Sequence, residues 1–195
     1  RDFVGTLAAV VIAYLLGSAL FGVIVPKLSG VDIYSVGSGN PGTANVARTV
    51  GKQRALLTVL GDIGKGSLAA GAGLWIGDGE SIGYAAGLAA VVGHCFPFWR
   101  LQGGGKGVAT AIGVFLVTSP VIGVGSLIFW GIQLAITKVA SAGSLLLAIA
   151  WVPALAIAGE RGWSLVLAAA IAVLVLARHH ENIRRLVAGT ERRVG

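Results

Sequence analysis

The chain has 195 residues, of which 55% are hydrophobic and only 12% charged, with a formal net charge of +7. A soluble domain is usually about a quarter charged, so this composition excludes a soluble domain with a single anchor and points to an integral membrane protein. The positive charge comes without the soluble basic face that a nucleic-acid partner would need, and its expected origin is the enrichment of lysine and arginine in cytoplasmic loops.

A helical span needs about 20 mostly apolar residues. The first apolar run, 3–26, is longer than the apolar segment of a signal peptide and lacks a clear cleavage site, so a span is expected there. A polar, glycine-rich patch follows, Gly37-Ser38-Gly39-Asn40-Pro41-Gly42, running on to Asn45 and Arg48. The second run, 55–77, is broken by Asp62 and Lys65, which stand three apart and can pair along a helix. Ions inside a span are functional candidates by default, although this pair can also neutralise itself while bracing a site. The third run, 81–99, holds His94 and Cys95, expected to be packing residues. Cys95 is the one cysteine, which excludes an internal disulfide and a multi-cysteine metal site.

A second patch, Gly103-Gly104-Gly105-Lys106-Gly107, leads into residues 107–137, which carry no charge. As one helix this stretch would be about 46 Å long, well beyond the hydrocarbon core. Divided at Ser119-Pro120 it gives two short spans, with the proline opening the second. Lys138 to Ser144 is a weaker polar patch, and runs 139–159 and 162–177 come last. The chain then reaches Arg178-His179-His180-Glu181-Asn182.

Charge distribution favours seven spans. Lys27, Arg48, Lys52, Arg54, Arg100, Lys106 and Lys138, with the arginines from 178 onward, then share one side, against Arg1 and Arg161 on the other. The expected fold class is an all-α integral membrane protein of seven transmembrane helices, some of them short. Its N-terminus lies outside and its C-terminus in the cytoplasm. Almost all of the length is apolar run, so a single membrane domain over 1–195 is expected.

All four polar patches then face the cytoplasm, as one site for a phosphorylated compound would require. Residues 37–42 formally match GxGxxG, but they lack the strand, helix and βαβ context of a dinucleotide fold, and Pro41 sits inside the motif. They read as an anion-binding loop or as a plain surface turn. In the first reading Ser38 and Asn45 are neutral donors and Arg48 grips an oxyanion with two N–H groups. The triple glycine fails the GxxxxGK[ST] spacing. It can still form a nest of N–H groups beside the positive end of a helix starting at Val108, with Lys106 adding a full charge; the alternative is a flexible turn with a cytoplasmic lysine. Adjacent histidines on a helix point about 100° apart, so His179 and His180 would not converge on a metal ion. His179 and Asn182 share a face, while His180 and Glu181 point elsewhere. Ser141 is a candidate ligand by its position on the cytoplasmic side.

At these residues the chain resembles the bacterial acyl-phosphate:glycerol-3-phosphate acyltransferase family over essentially its whole length. The resemblance rests on GSGNPGTANVAR at 37–48, Asp62 with Lys65-Gly66, GGGKGVATA at 103–111, Ser141 with Gly143, and RHHENIRRL at 178–186. Where the family pattern often reads GATN, this chain has Gly42-Thr43-Ala44-Asn45, which moves the hydroxyl by one position. The resemblance implies a seven-span enzyme of phospholipid biosynthesis in the bacterial cytoplasmic (inner) membrane. It would transfer a fatty acyl group from long-chain acyl phosphate to the 1-hydroxyl of glycerol 3-phosphate, giving lysophosphatidic acid and phosphate. Acyl-CoA and acyl carrier protein would not serve as donors, and no cofactor or metal is expected.

The same resemblance suggests Ser38, Arg48, Lys106, Ser141, His179 and Asn182 as catalytic residues. Arg48 and Lys106 would hold phosphates, Ser38 and Ser141 would donate to them or to the glycerol, and His179 and Asn182 would orient the hydroxyl or the carbonyl. Gly39, Asn40, Asn45, Gly103, Gly104 and Gly105 would complete the substrate- and phosphate-binding set. The base would be His179 or a substrate phosphate oxygen. The chain has no HxxxxD pair and no serine or cysteine nucleophile with an evident base. Direct attack on the already activated mixed anhydride is therefore expected, with catalysis by positioning and charge stabilisation. A transporter of an organic phosphate, the rival reading, would want a midplane site between related halves, and the sequence has no internal repeat.

Overall fold

In lipid each backbone N–H and C=O must find a partner inside the protein, so a chain this apolar folds as helices. The computed structural model describes residues 3–77 and 79–194, and these form ten α-helices. They are α1 (Phe3–Gly17), α2 (Phe21–Lys27), α3 (Thr43–Thr49), α4 (Lys52–Ile76) and α5 (Glu80–Cys95), followed by α6 (Val108–Thr118), α7 (Pro120–Thr137), α8 (Ala140–Ile157), α9 (Gly162–Arg178) and α10 (His180–Val187). A 3-10 turn at Ile33–Ser35 is capped by the Asp32 carboxylate, which accepts from the Tyr34 N–H at 3.0 Å.

A helix covers every apolar run of the sequence. The division expected at Ser119-Pro120 is present: α6 ends one residue before Ser119, and Pro120 is the first residue of α7, where its missing N–H costs nothing. By length and apolarity, Val4–Lys27, α7 and α8 can each cross a membrane, and α9 with α10, bent by 55°, makes a fourth; α6 and Ser81–Cys95 are shorter apolar helices.

The first run departs from a simple rod, because the chain breaks between α1 and α2. The carbonyls freed there are taken by distant donors. Lys65 Nζ donates to Gly17 O and Ala19 O at 2.9 Å each, and the Trp99 indole N–H donates to Ser18 O at 2.9 Å. A buried break of this kind persists only where such donors reach it.

The main core joins α5, α6, α8 and α9 around Phe115 and Trp151, whose rings meet edge-on at 5.0 Å. The Trp151 indole N–H donates to Ser126 Oγ at 2.9 Å and so ties α8 to α7. Helices α4 and α6 approach closely through glycine: a Cβ at Gly66 would lie 2.1 Å from Thr110 O, and one at Gly113 would lie 2.1 Å from Ile63 O. This is the small-residue packing that membrane helices use when no hydrophobic force drives them together. Large apolar side chains such as Leu68, Trp75, Val121, Ile136 and Ile157 point outward, whereas Asn45, Asp62, Lys65, His94, His179 and Asn182 are buried. Polar groups inside and apolar ones outside suit a protein whose solvent is lipid.

Candidate active site

A single cleft of about 970 Å³, counted to its open mouth, gathers the polar patches. Ser38, Arg48, Lys106, Ser141, His179 and Asn182 all line it, as do Asn40 and Asn45. Gly39, Gly103, Gly104 and Gly105 stand outside the lining.

The 37–42 loop is shaped by one buried amide. Asn45 Oδ1 accepts from the Ser38 N–H at 2.9 Å, while Asn45 Nδ2 donates to Val36 O at 3.1 Å. Gly37 takes a left-handed φ of 60°, and a Cβ there would lie 2.3 Å from Asn45 Oδ1. Turn geometry and amide together therefore require glycine at this position. The Asn40 N–H points at Ser38 Oγ at 3.4 Å, which leaves the Ser38 hydroxyl hydrogen for the cleft. One turn further along α3, Arg48 reaches the same space. Its guanidinium has no hydrogen bond or ion pair among the described residues, and its pKa is lowered, first by burial and then by Arg192 nearby.

The 103–107 loop is pressed onto the end of α5. A Cβ at Gly104 would lie 2.1 Å from Cys95 O, and one at Gly105 would lie 2.1 Å from His94 Nε2. The loop carbonyls are also engaged. Tyr34 Oη donates to Gly103 O at 2.8 Å, and Arg178 donates to Gly104 O at 3.0 Å and to Gly105 O at 3.2 Å. So anchored, the loop directs Lys106 into the cleft, where Nζ donates to Asn182 Oδ1. Burial pulls the Lys106 pKa down to about 8, and Arg185 adds to the effect while Glu191 and Glu181 oppose it.

Helix α9 ends at Arg178, and the bend into α10 turns His179 and Asn182 inward while His180 and Glu181 stay exposed. His179 Nδ1 lies 2.7 Å from Val175 O. A carbonyl oxygen only accepts, so Nδ1 carries the proton and Nε2 keeps a free lone pair. Asn182 Nδ2 donates to Glu191 Oε1 at 2.9 Å, and Arg185 Nε donates to Glu191 Oε2 at 3.0 Å. Ser141 adds a buried hydroxyl with no hydrogen-bond partner among the described residues, a group that calls for a ligand or water.

Under the cleft lies a buried ionic cluster. Lys65 Nζ is 2.9 Å from Asp62 Oδ1 and 2.8 Å from His94 Nδ1, and His94 Nδ1 is 3.4 Å from Asp62 Oδ1. Asp62 and His94 both line the cleft. The Asp62–Lys65 pair expected from the sequence therefore has a third member. His94 packs as expected, but it also carries the glycine loop, since its carbonyl accepts the Gly105 N–H at 3.0 Å. Sequence reasoning did not find His94, Arg185, Glu191 or Arg192 as lining residues. An ionisable side chain in an apolar run was the available signal for His94; the tail residues had none.

The cleft combines cations with an apolar wall. Val59 and Ile63 of α4, Val108 and Ile112 of α6, and Leu127 and Trp130 of α7 line it beside the polar groups. Such a lining can hold an anionic head and an apolar tail together.

Known proteins show the same arrangement of sequence and fold. The family model described as glycerol-3-phosphate acyltransferase matches residues 7–189. A glycerol-3-phosphate acyltransferase of Sinorhizobium medicae is 44% identical over 194 residues, which is 97% of this chain and 93% of that protein. Another, from Roseobacter denitrificans, is 41% identical over 186 residues, 95% of this chain and 92% of the relative. The crystal structure of PlsY (YgiH), an integral membrane glycerol 3-phosphate acyltransferase, in its glycerol 3-phosphate form matches with a TM-score of 0.90 at 39% identity, over 97% of this chain and 96% of that one. Its lysophosphatidic acid form matches with a TM-score of 0.88, over 97% and 95%.

Proposed function

The chain belongs to the glycerol-3-phosphate acyltransferase family, and from that premise we propose that its cleft moves a fatty acyl group from acyl phosphate to the 1-hydroxyl of glycerol 3-phosphate, releasing lysophosphatidic acid and phosphate. The observation that carries this reading is the meeting of Ser38, Arg48, Lys106, Ser141, His179 and Asn182 in one cleft that also has an apolar wall. Both substrates bring phosphate to the cations, and the donor brings an acyl chain to α4, α6 and α7.

In the proposed reaction the glycerol hydroxyl attacks the carbonyl carbon of the mixed anhydride. A new ester C–O bond forms, the anhydride C–O bond breaks, and phosphate leaves with its electron pair. The hydroxyl proton passes to the free Nε2 of His179 or to a substrate phosphate oxygen. Lys106 and Arg48 stabilise the charge that gathers on the carbonyl and phosphate oxygens. Ser38 and Ser141 donate to the bound head groups, and Asn182, held between Lys106 and Glu191, keeps the ammonium aimed. Purified protein given both donors in separate assays should form lysophosphatidic acid from acyl phosphate and little from acyl-CoA. Equal turnover of the two donors would overturn the donor assignment.

The proposed membrane arrangement has seven spans: α1 with α2, then α4, α5, α6, α7, α8 and α9, in a bacterial inner membrane with the cleft facing the cytoplasm. Support comes from charge. Arg48, Lys106, Arg185 and Arg192 line the cleft, whereas Arg161 sits in the turn before α9; Arg1 lies outside the described residues. Local thinning of the bilayer accommodates the short α6. A cysteine at position 190, in place of Thr190 and in a background where Cys95 is replaced by serine, should resist a membrane-impermeant thiol reagent in intact cells. Ready labelling would place the cleft on the other side.

The α9–α10 bend gives a sharper test of the site. His179→Ala should lower kcat on the order of a hundredfold if it handles the proton, and Asn182→Ala should also lower it. His180→Ala should stay within about threefold of the parent, because its side chain is exposed outside the cleft. A dead His180→Ala beside a fully active His179→Ala would move the site to the other face.

A further inference from the structure

Two guanidinium groups reach the cleft from distant segments of the chain. Arg48 comes from α3 and Arg192 from the segment after α10, and both line the cavity. The remaining cations there already have partners. Lys106 donates to Asn182, and Arg185 is held by Glu191 at 3.0 Å and lies 3.6 Å from Glu181. Glu191, the carboxylate nearest to Arg192 in sequence, has both oxygens occupied by Asn182 and Arg185. Arg192, like Arg48, makes no hydrogen bond or ion pair among the described residues. The half-buried Arg48 and the exposed Arg192 repel each other here: the Arg48 pKa is lowered first by burial and further by Arg192, against an opposing pull from Glu191.

The segment that carries Arg192 is pinned at both ends. The chain reverses at Gly189, with φ 68°, and the Thr190 N–H donates to Arg185 O at 2.8 Å. Four residues later the Val194 N–H donates to Lys138 O at 2.8 Å, in the turn between α7 and α8. Residues 189–194 thus form a strap from α10 to the α7–α8 turn, with Arg192 between its fixed points. An anion placed between the two guanidinium groups relieves their repulsion. A phosphate group meets the need, because each planar guanidinium can donate two parallel N–H groups to its oxygens.

We propose that Arg192 and Arg48 clamp the phosphate group of one substrate from two sides, with the strap delivering Arg192. The assignment rests on the reading of the cleft as a site for phosphorylated substrates. Glycerol 3-phosphate and acyl phosphate both carry the required group, and kinetics distinguish them.

Arg193 is the internal control. It follows Arg192 directly and is exposed as Arg192 is, but it stands outside the lining. Arg192→Gln, Arg192→Lys and Arg193→Gln are compared in purified enzyme, with KM measured separately for each substrate and folding checked by detergent gel filtration. Arg192→Gln should raise KM for one substrate about tenfold while kcat changes less than twofold, as loss of a charge-assisted contact predicts. The substrate whose KM rises is the one clamped. Arg192→Lys should recover only part of the loss, and Arg193→Gln should match the parent. If Arg192→Gln and Arg193→Gln are indistinguishable, or if kcat falls with both KM values unchanged, the clamp is wrong. A parent enzyme that forms no lysophosphatidic acid would instead defeat the function reading, so the two failures are separable.

Discussion

Lys106→Ala should lower kcat/KM about a hundredfold and leave the fold intact. The ammonium is the cation of the glycine loop, and burial already holds its pKa at about 8. In such a low-dielectric site a charge aimed at developing negative charge is worth roughly 3 kcal/mol, which is the hundredfold. The fold survives because the loop is held through its backbone, by Tyr34 and Arg178 on the carbonyls and by His94 on the Gly105 N–H. The pH profile gives an independent check. In the free enzyme Lys106 loses its proton as pH rises through about 8, so kcat/KM should fall across that region. Bound phosphate favours the charged form and raises the pKa, so kcat should stay level to higher pH. Lys106→Arg should move the fall in kcat/KM to higher pH. Retention of full activity by the alanine variant would remove Lys106 from the chemistry.

The second large effect concerns folding. Lys65→Met removes a buried ammonium that is 4% exposed, while Asp62 beside it is 1% exposed. The change strands the carboxylate and takes the donor from Gly17 O and Ala19 O. Breaking one partner of a buried pair typically costs about 3–5 kcal/mol, against a total stability of about 5–15 kcal/mol for a domain. The variant should therefore lose its monodisperse peak in detergent, or melt many degrees below the parent. Asp62→Leu combined with Lys65→Met should recover only the part of the loss due to the stranded carboxylate, because the apolar pair leaves no lone charge while Gly17 O and Ala19 O still lack their donor. An unfolding midpoint for Lys65→Met within a degree or two of the parent would show that the pair is not structural.

The features legible in the sequence were those written in local terms. Apolar runs gave the helices, and proline after serine gave the α6–α7 division, because both signals act within a few residues. The spacing of His179 and Asn182 put them on one face, and they are buried while His180 is not. Long-range features were hidden. The break between α1 and α2 depends on Lys65, 48 residues beyond Gly17, and no pattern inside the first run announces it. Consecutive glycines at 103–105 suggested a ligand nest, yet Gly104 and Gly105 also have a packing reason, the contact with Cys95 O and His94 Nε2. Asn45 was expected to face a ligand; it lines the cleft, and its amide is already engaged in shaping the loop. Arg192 and Glu191 lie in a tail without periodicity, where only the fold brings them to the cleft.

The break between α1 and α2 bears on how this protein enters its membrane. The first hydrophobic segment carries two carbonyls that no donor of its own satisfies, and the second carries an ammonium that lipid does not solvate. Asp62 answers that ammonium within α4 itself, but the two carbonyls find their donor only when α4 lies beside the first segment. A first segment that enters lipid alone leaves these carbonyls without a donor, which favours entry of the two helices together. A ribosome stalled before Lys65 should then leave the first segment still in contact with the translocation channel.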